Sequence, residues 1–314
     1  LADHETGGLH VVADNGVGVL PSVTWSTTGH TSTNVTIRAW GALAERLAGA
    51  LDNTDVHAVP LADVPSWYSR SISKGSLVWG GNLGLGGAET IPGDYDGDGR
   101  TDLAVYHAEK GMWFIRTVTG NVLAWGLAWG FAGTIPVSGD YDGDGSSDLA
   151  VYHPDSGLWY IMSLDGRVLA RGLAWGYAGT HPATGDYDGD GQSDLAIHDS
   201  STGSWFIRTM GGGVLAWRVR WGFPGDVLVP GDYDGDGRSD LAVYDPGRSK
   251  WYIRNLDGPV LAWNRSWGYA GVIPVPGDYD GDGKSDLMVY DNARGSWYGC
   301  SLNGTLITWG LRWG

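Results

Sequence analysis

The chain has 314 residues, 42% of them hydrophobic, and a formal net charge of −16, which suits one large domain or two ordinary ones. No run of about 18 apolar residues occurs, so the sequence predicts no membrane span, and the acidity argues against a nucleic-acid partner. With 53 Gly, 18 Trp and 15 Tyr it reads as many short strands and tight turns, and its one cysteine, Cys300, allows no disulfide within the chain.

In chain order, "LADHETGGLH" places Asp3 beside His4. "TWSTTGHTSTNVTIRAWG" is rich in Thr and Val and alternates, which predicts a strand or two, with His30 at a Gly-His turn ahead of them. "GALAERLAGALDN" predicts a helix, because Leu43, Leu47, Ala48 and Leu51 recur at helical spacing. Asp and His together suit zinc, so Asp3, His4 and His30 are candidate ligands, although spacing alone gives them little weight. The two-proline stretch that follows reads as a linker over residues 58–66.

Beyond it one unit repeats. "GDYDGDGRTDLAVYH" begins at Gly93, and close copies begin at Gly139, Gly185, Gly231 and Gly277, always 46 residues on (139−93, 185−139, 231−185, 277−231). Each copy continues through a "WYI"-like stretch, a "VLAW"-like stretch, "WGYAG" or "WGFAG", and "IPV" into the next copy. "DLAVY" sets Leu103 and Val105 against Ala104 and Tyr106, and "MWFIRT" sets Trp113 and Ile115 against Phe114 and Arg116, a period of two. Four short strands in roughly 40–50 residues make a propeller blade, whereas a parallel β-solenoid has shorter coils without this four-part unit. Residues 66–83 match only the two outer strands of the unit.

The loop "DYDGDGxxD" has its own chemistry. Positions 1, 3, 5 and 9 are Asp94, Asp96, Asp98 and Asp102; Asp140, Asp142, Asp144 and Asp148; Asp186, Asp188, Asp190 and Asp194; Asp232, Asp234, Asp236 and Asp240; Asp278, Asp280, Asp282 and Asp286. Position 7, which can offer a carbonyl, is Arg100, Ser146, Gln192, Arg238 or Lys284. Calcium takes six to eight oxygens from a flexible loop, and carboxylates at alternate positions of a tight turn can point inward together. The spacing matches the first nine positions of an EF-hand loop, without its Glu at position 12 and with a strand in place of the helix. Polar Asp-Gly turns without an ion are the alternative, but four carboxylates packed together in five loops would repel without a cation. The loops hold 20 of the 36 acidic residues; the other 16 against 20 basic residues leave +4, and five calcium ions would bring −16 to −6. The acidity is therefore ligand charge rather than a broad acidic surface.

"GDYDGDGxSDLAVY" with "WYIR" resembles the FG-GAP and VCBS type repeat over about residues 67–314. The resemblance implies a mainly β, calcium-binding β-propeller of four-stranded blades, with "IPVxGDY" as the innermost strand of each. Five full repeats and a partial one leave closure open between five blades plus an extra hairpin and a larger ring with added inner strands. Residues 1–57 resemble the C-terminal end of the alkaline phosphatase family, through "ADHETGGL", "WSTTGHTSTNVTIRAWG" and "GALAERLAGALDNTDV" in order. That likeness implies a small α/β fragment in which Asp3 and His4 bind one catalytic zinc and His30 the other, with magnesium nearby in a complete enzyme acting on phosphate monoesters. It also implies that the serine nucleophile and the remaining ligands belong to segments preceding Leu1, so the chain as given is expected to be inactive.

Two functions follow as expectations. One is a secreted phosphomonoesterase carrying the propeller as an accessory domain. The other is a calcium-dependent propeller that binds carbohydrate or protein at a cell surface. The aromatic residues of "WGYAG" and "WGFAG" could stack on sugar rings, although packing between blades is the preferred reading. Modest-affinity calcium loops and the phosphatase likeness both predict an extracellular, cell-surface or periplasmic location.

Overall fold

The computed structural model describes residues 83, 84 and 86–312 in full, and the backbone of earlier strands at 9–13, 22–25, 55–61, 64–71 and 75–82. The chain divides into two units, Leu1–Ala39 and Trp40–Gly314. In the first, β1 (Leu9–Ala13) and β2 (Ser22–Trp25) form an antiparallel pair. The expected helix at 41–53 and the candidate ligands Asp3, His4 and His30 lie outside the described residues, and no helix occurs among the described residues.

The second unit contains five four-stranded antiparallel blades that form a β-propeller. They span 89–128, 135–174, 180–220, 227–266 and 273–312. In the first blade, β6 (Glu89–Thr90) is innermost, followed by β7 (Leu103–His107), β8 (Met112–Arg116) and β9 (Val122–Ala128). Ahead of the blades lies a three-stranded sheet of β3 (Asp55–Leu61), β4 (Val64–Ser71) and β5 (Gly75–Asn82).

That sheet corrects two expectations. Residues 58–66 do not form a linker: β3 and β4 run through them as a hairpin, with Pro60 opposite Pro65. The partial repeat also has three strands rather than two. Ala58 stands opposite Trp67 as Tyr106 stands opposite Trp113, which makes β3 the counterpart of "DLAVY". Each proline costs the ladder one N–H, but Val56, Val59, Leu61 and Val64 favour extended backbone around them.

The blades bury both faces, and the core lies in layers between neighbours. Every residue of Leu103–His107 is buried. One face of the first blade, with Leu103, Val105 and Phe114, packs with Leu83. The other, with Ala104, Tyr106, Trp113 and Ile115, packs on Leu149 and Val151 of the second blade. The same division recurs where Ala150, Tyr152, Trp159 and Ile161 meet Leu195, Ile197 and Phe206. A strand covered on both sides needs apolar side chains of either parity, which explains why "DLAVY" has no polar alternation.

Buried tryptophans staple the first four blades. The indole N–H groups of Trp113, Trp159, Trp205 and Trp251 donate to the carbonyls of Trp129, Trp175, Trp221 and Trp267, at 2.7, 2.7, 2.8 and 3.1 Å. A tryptophan can be buried at little cost only when that N–H finds an acceptor. The outermost strand of each blade carries a bulge where it pairs with the third strand. There Gly126, Gly172, Arg218, Asn264 and Gly310 take φ of 69°, 73°, 59°, 60° and 65°. Such bulges twist an edge strand away from pairing with another chain.

Candidate metal centre

The Asp-Gly loops connect the first and second strands of the blades. The backbone turns sharply there, and Gly97 and Gly99 hold φ of 74° and 79° in the first loop. Asp94 organises the turn: its Oδ1 accepts the N–H of Gly97 at 2.8 Å and of Asp98 at 3.2 Å, and its Oδ2 accepts the N–H of Gly99 at 2.8 Å. Asp96 Oδ1 accepts from Asp98, and Asp98 Oδ1 accepts from Arg100 at 2.9 Å. Asp102 reaches back from the start of the second strand, where its Oδ2 accepts the Tyr95 N–H at 2.9 Å. Corresponding bonds recur in the later loops, as at Asp140, Asp186, Asp232 and Asp278.

The carboxylates converge. Oxygens of Asp94, Asp96 and Asp102 lie within 4.8 Å of one another, as do those of Asp140, Asp142 and Asp148, of Asp186, Asp188 and Asp194, and of Asp232, Asp234 and Asp240. In the last loop Asp278, Asp280 and Asp282 converge in the same way. Position 5 lies outside the converging set in the first four loops and within it in the last, and in every loop it accepts the N–H of position 7, at Arg100, Ser146, Gln192 and Arg238 in the first four. Position 7 thus enters its loop through its N–H, as Lys284 also does toward Asp282. Position 3 has side-chain partners in two loops: Arg167 pairs with Asp142, and Asn255 Nδ2 donates to Asp234 at 2.9 Å.

Electrostatics sets position 9 apart. Asp102, Asp148, Asp194, Asp240 and Asp286 are each pushed up to about 7. Burial is the main cause, the N–H bond from the loop tyrosine opposes it, and the neighbouring carboxylates add to it. Asp286 is fully buried, its Oδ2 accepts the Tyr279 N–H at 2.9 Å, and its Oδ1 has no hydrogen-bond partner. A buried acceptor left without a donor is costly unless something else satisfies it. The donor set is all oxygen, and ligands at 2.3–2.6 Å from one ion lie within about 5 Å of each other, so the clusters fit a hard divalent cation such as calcium.

One feature was not anticipated from the sequence: adjacent loops are bonded to each other. The N–H groups of Ser147, Ser193, Ser239 and Ser285, at position 8, donate to the carbonyls of Asp94, Asp140, Asp186 and Asp232, at position 1 of the preceding loop, all at 2.5 Å. The glycine before each loop makes room for that serine, since a Cβ on Gly139 would lie 2.6 Å from Ser193 Oγ. The position-7 side chains Ser146, Gln192, Arg238 and Lys284 cover Gly97, Gly143, Gly189 and Gly235 of the loop before. Glycine and a hydroxyl recurring at these positions was the available signal.

The aromatic residues of "WGYAG" and "WGFAG" divide. Trp129 and Trp221 are buried and Trp175 and Trp267 half-buried, and three of them donate their N–H to Phe206, Tyr252 and Tyr298 carbonyls of the next blade. These tryptophans pack between blades, as preferred, whereas Phe131, Tyr177 and Phe223 of the same segments are exposed. The well-exposed tryptophans are those of "VLAW", which sequence reasoning did not single out: Trp125, Trp217, Trp263 and Trp309.

The FG-GAP-like repeat family matches residues 140–197 and 232–289. Each match begins at position 1 of a loop and ends in the second strand of the following blade, so the two together contain four of the five loops. No curated protein matches the chain. Among solved structures, the fold is similar to an Agrocybe aegerita lectin described as recognising non-reducing terminal N-acetylglucosamine, at 15% identity and TM-score 0.51, over 82% of this chain and 79% of that one. It is similar to a Bacteroides caccae protein of unknown function at 14% identity and TM-score 0.50, over 81% and 91%. It is also similar to virginiamycin B lyase from Staphylococcus aureus at 10% identity and TM-score 0.51, over 87% of each chain.

Proposed function

We propose that this chain is a calcium-dependent carbohydrate-binding propeller that works outside the cytoplasm. The observation that carries the reading is the fivefold convergence of carboxylates in loops bonded to their neighbours. In the first loop Asp94, Asp96, Asp98, Asp102 and the Arg100 carbonyl would hold the ion, and the same positions would hold it in the others. The ion would supply the positive charge that the clustered carboxylates lack. The loops without a position-12 Glu would fill where calcium is plentiful, which is the reason for an exported location. The lectin among the structural neighbours supports a saccharide as partner, while the fold alone would equally suit a protein.

The test is glycan-array binding by the whole chain, with millimolar calcium and then with excess chelator. Saccharide binding that disappears on chelation is expected. Binding that is indifferent to chelation would remove the calcium reading, and no saccharide bound in calcium would remove the lectin reading.

The motifs of residues 1–57 favour a second proposal, that the propeller serves an alkaline phosphatase-like enzyme. Asp3, His4 and His30 would then contribute to a two-zinc site, with magnesium alongside. Three ligands drawn from two zinc spheres do not make a complete site, so no turnover of an aryl phosphate is expected from this chain with zinc and magnesium supplied. Turnover abolished by His30→Ala would overturn that expectation.

A further inference from the structure

The outermost strands differ from the rest of the propeller in both charge and exposure. Val122–Ala128, Val168–Ala174, Val214–Arg220, Val260–Ser266 and Leu306–Arg312 contain no Asp or Glu, although the whole chain carries −16. They do contain Arg171, Arg218, Arg220, Arg265 and Arg312. In the last three blades each also presents a tryptophan, with Trp217 68%, Trp263 62% and Trp309 70% exposed.

These indoles are held firmly while remaining open to solvent. Trp217, Trp263 and Trp309 stand nearly perpendicular to Phe206, Tyr252 and Tyr298, with ring centroids 5.2, 5.2 and 5.3 Å apart. Each also meets a tryptophan from the preceding "WG" segment, Trp175, Trp221 or Trp267, at 5.8, 5.6 and 6.1 Å. Edge-to-face support fixes a ring and leaves a face free, and a fixed ring loses little entropy when a ligand stacks on it. Guanidinium groups sit within the same clusters, Arg208 over Trp175 and Arg254 over Trp221. The second blade has Arg171 in place of the outer tryptophan, lying over Trp129.

We infer that Trp217, Trp263 and Trp309 are stacking platforms for the pyranose rings of an anionic polysaccharide, with the exposed Arg218, Arg220 and Arg312 meeting its acidic groups. The inference rests on the carbohydrate-binding reading and deepens it. Charge complementarity chooses the occupant: arginines segregated onto strands free of acid, in an acidic chain, suit a polyanion, and a neutral glycan would require no such segregation. Nucleic acid fits less well. It carries a charge on every nucleotide and would face a protein still at −6 after five calcium ions (−16 + 10). Hyaluronan, in which a uronate alternates with a neutral sugar, carries its charges on alternate sugars.

The experiment is titration calorimetry of the full chain in calcium with hyaluronan oligosaccharides, dextran and single-stranded oligo(dT). The wild type is compared with a Trp217→Ala/Trp263→Ala/Trp309→Ala variant and with an Arg218→Glu/Arg220→Glu/Arg312→Glu variant that keeps every ring. Hyaluronan is expected to bind in preference to dextran and oligo(dT), to weaken with salt, and to lose at least about tenfold in affinity in each variant. The charge variant decides the matter if the ring variant fails to fold. Undiminished hyaluronan binding in a folded variant overturns the inference, as does equal binding of dextran or tighter binding of oligo(dT). A chain that binds other glycans but not hyaluronan overturns this inference and leaves the lectin reading standing; a chain that binds no glycan defeats both.

Discussion

The loop end of each blade and its outermost strand are built on opposite terms. At the loops every carbonyl at position 1 but the last is bonded to the next blade, the position-9 aspartates are buried, and glycine is kept where a single methyl group would collide with a neighbour. At the outer strand the first, fourth and seventh residues are exposed, the strand pairs on one side only, and the sequence drifts through Gly, Arg and Asn at one backbone position. The comparison teaches where a repeat can change. Substitution is constrained wherever two blades share an atom-scale contact, and the outer strand is the place where blades can differ without breaking the ring.

The largest expected effect would break this contrast at the loops. Ligand binding to the native state stabilises by mass action, about 2.7 kcal/mol for each site held at 100 times its Kd. Since Ser147, Ser193, Ser239 and Ser285 tie each loop to the one before, loss of several ions should loosen the blades together. Chelation is therefore expected to lower the melting temperature more than any single substitution, as followed by calorimetry in calcium and in excess chelator. Equal melting in both would mean that the loops are not structural cation sites.

Two tryptophans of the third blade, Trp205 and Trp217, sharpen the comparison. Trp205 is fully buried and its N–H is bonded to the Trp221 carbonyl at 2.8 Å. Trp205→Ala should cost about 3–5 kcal/mol, the range for emptying a buried aromatic site. Trp217, which is 68% exposed, should cost no more than about 1 kcal/mol on the same change. Denaturant midpoints for the pair measure the difference, and equal losses would mean that the rim is part of the core.

Acid should distinguish the third blade from the others. His198 is buried at the position held by Tyr106, Tyr152, Tyr244 and Tyr290 in the other blades, 5.0 Å from the Trp205 ring. Burial is the leading cause of its pKa falling from 6.5 to about 4, and the nearby Asp199 charge opposes the shift. The unfolded chain therefore binds more protons than the folded one between those values. This contribution is complete above about pH 6.5 and is lost as pH falls toward 4, with a slope of up to about 1.4 kcal/mol per pH unit. His198→Tyr should flatten that part of the stability profile relative to wild type in the same calcium buffer. Parallel profiles for the two proteins would rule out His198 as the source.

The smallest effect lies on the outer strand. Arg218 adopts φ of 59° where Gly126, Gly172 and Gly310 stand in other blades. A left-handed conformation costs a residue with a Cβ about 1–2 kcal/mol, so Arg218→Gly should stabilise the fold by up to about 1 kcal/mol. Asn264→Gly should gain less, because Asn tolerates this conformation. An unchanged or lowered denaturant midpoint for Arg218→Gly would mean that its guanidinium contributes more than its backbone costs.

Much of the fold was legible in the residues themselves. A 46-residue period, strands alternating with a period of two and turns marked by Asp-Gly are local signals, and they were enough to predict four-stranded blades, while the place of "IPV" as the innermost strand came from the repeat's resemblance to a known family. The loop carboxylates were legible for the same reason: positions 1 and 3 of the tight turn converge in every loop, although only the structure decides whether position 5 or position 9 joins them. The strand at 55–61 was not, because Pro60 and the nearby Pro65 mimic a linker and only pairing with β4 gives it a ladder. Nor could the sequence separate Trp129 from Trp125. Both are tryptophans in short apolar stretches, yet one is 8% and the other 62% exposed. Burial between blades depends on which face the neighbouring repeat covers, and that is decided only when consecutive blades stack. The serine bonds between loops have the same origin: donor and acceptor lie in different repeats, and the tertiary structure alone brings them to 2.5 Å.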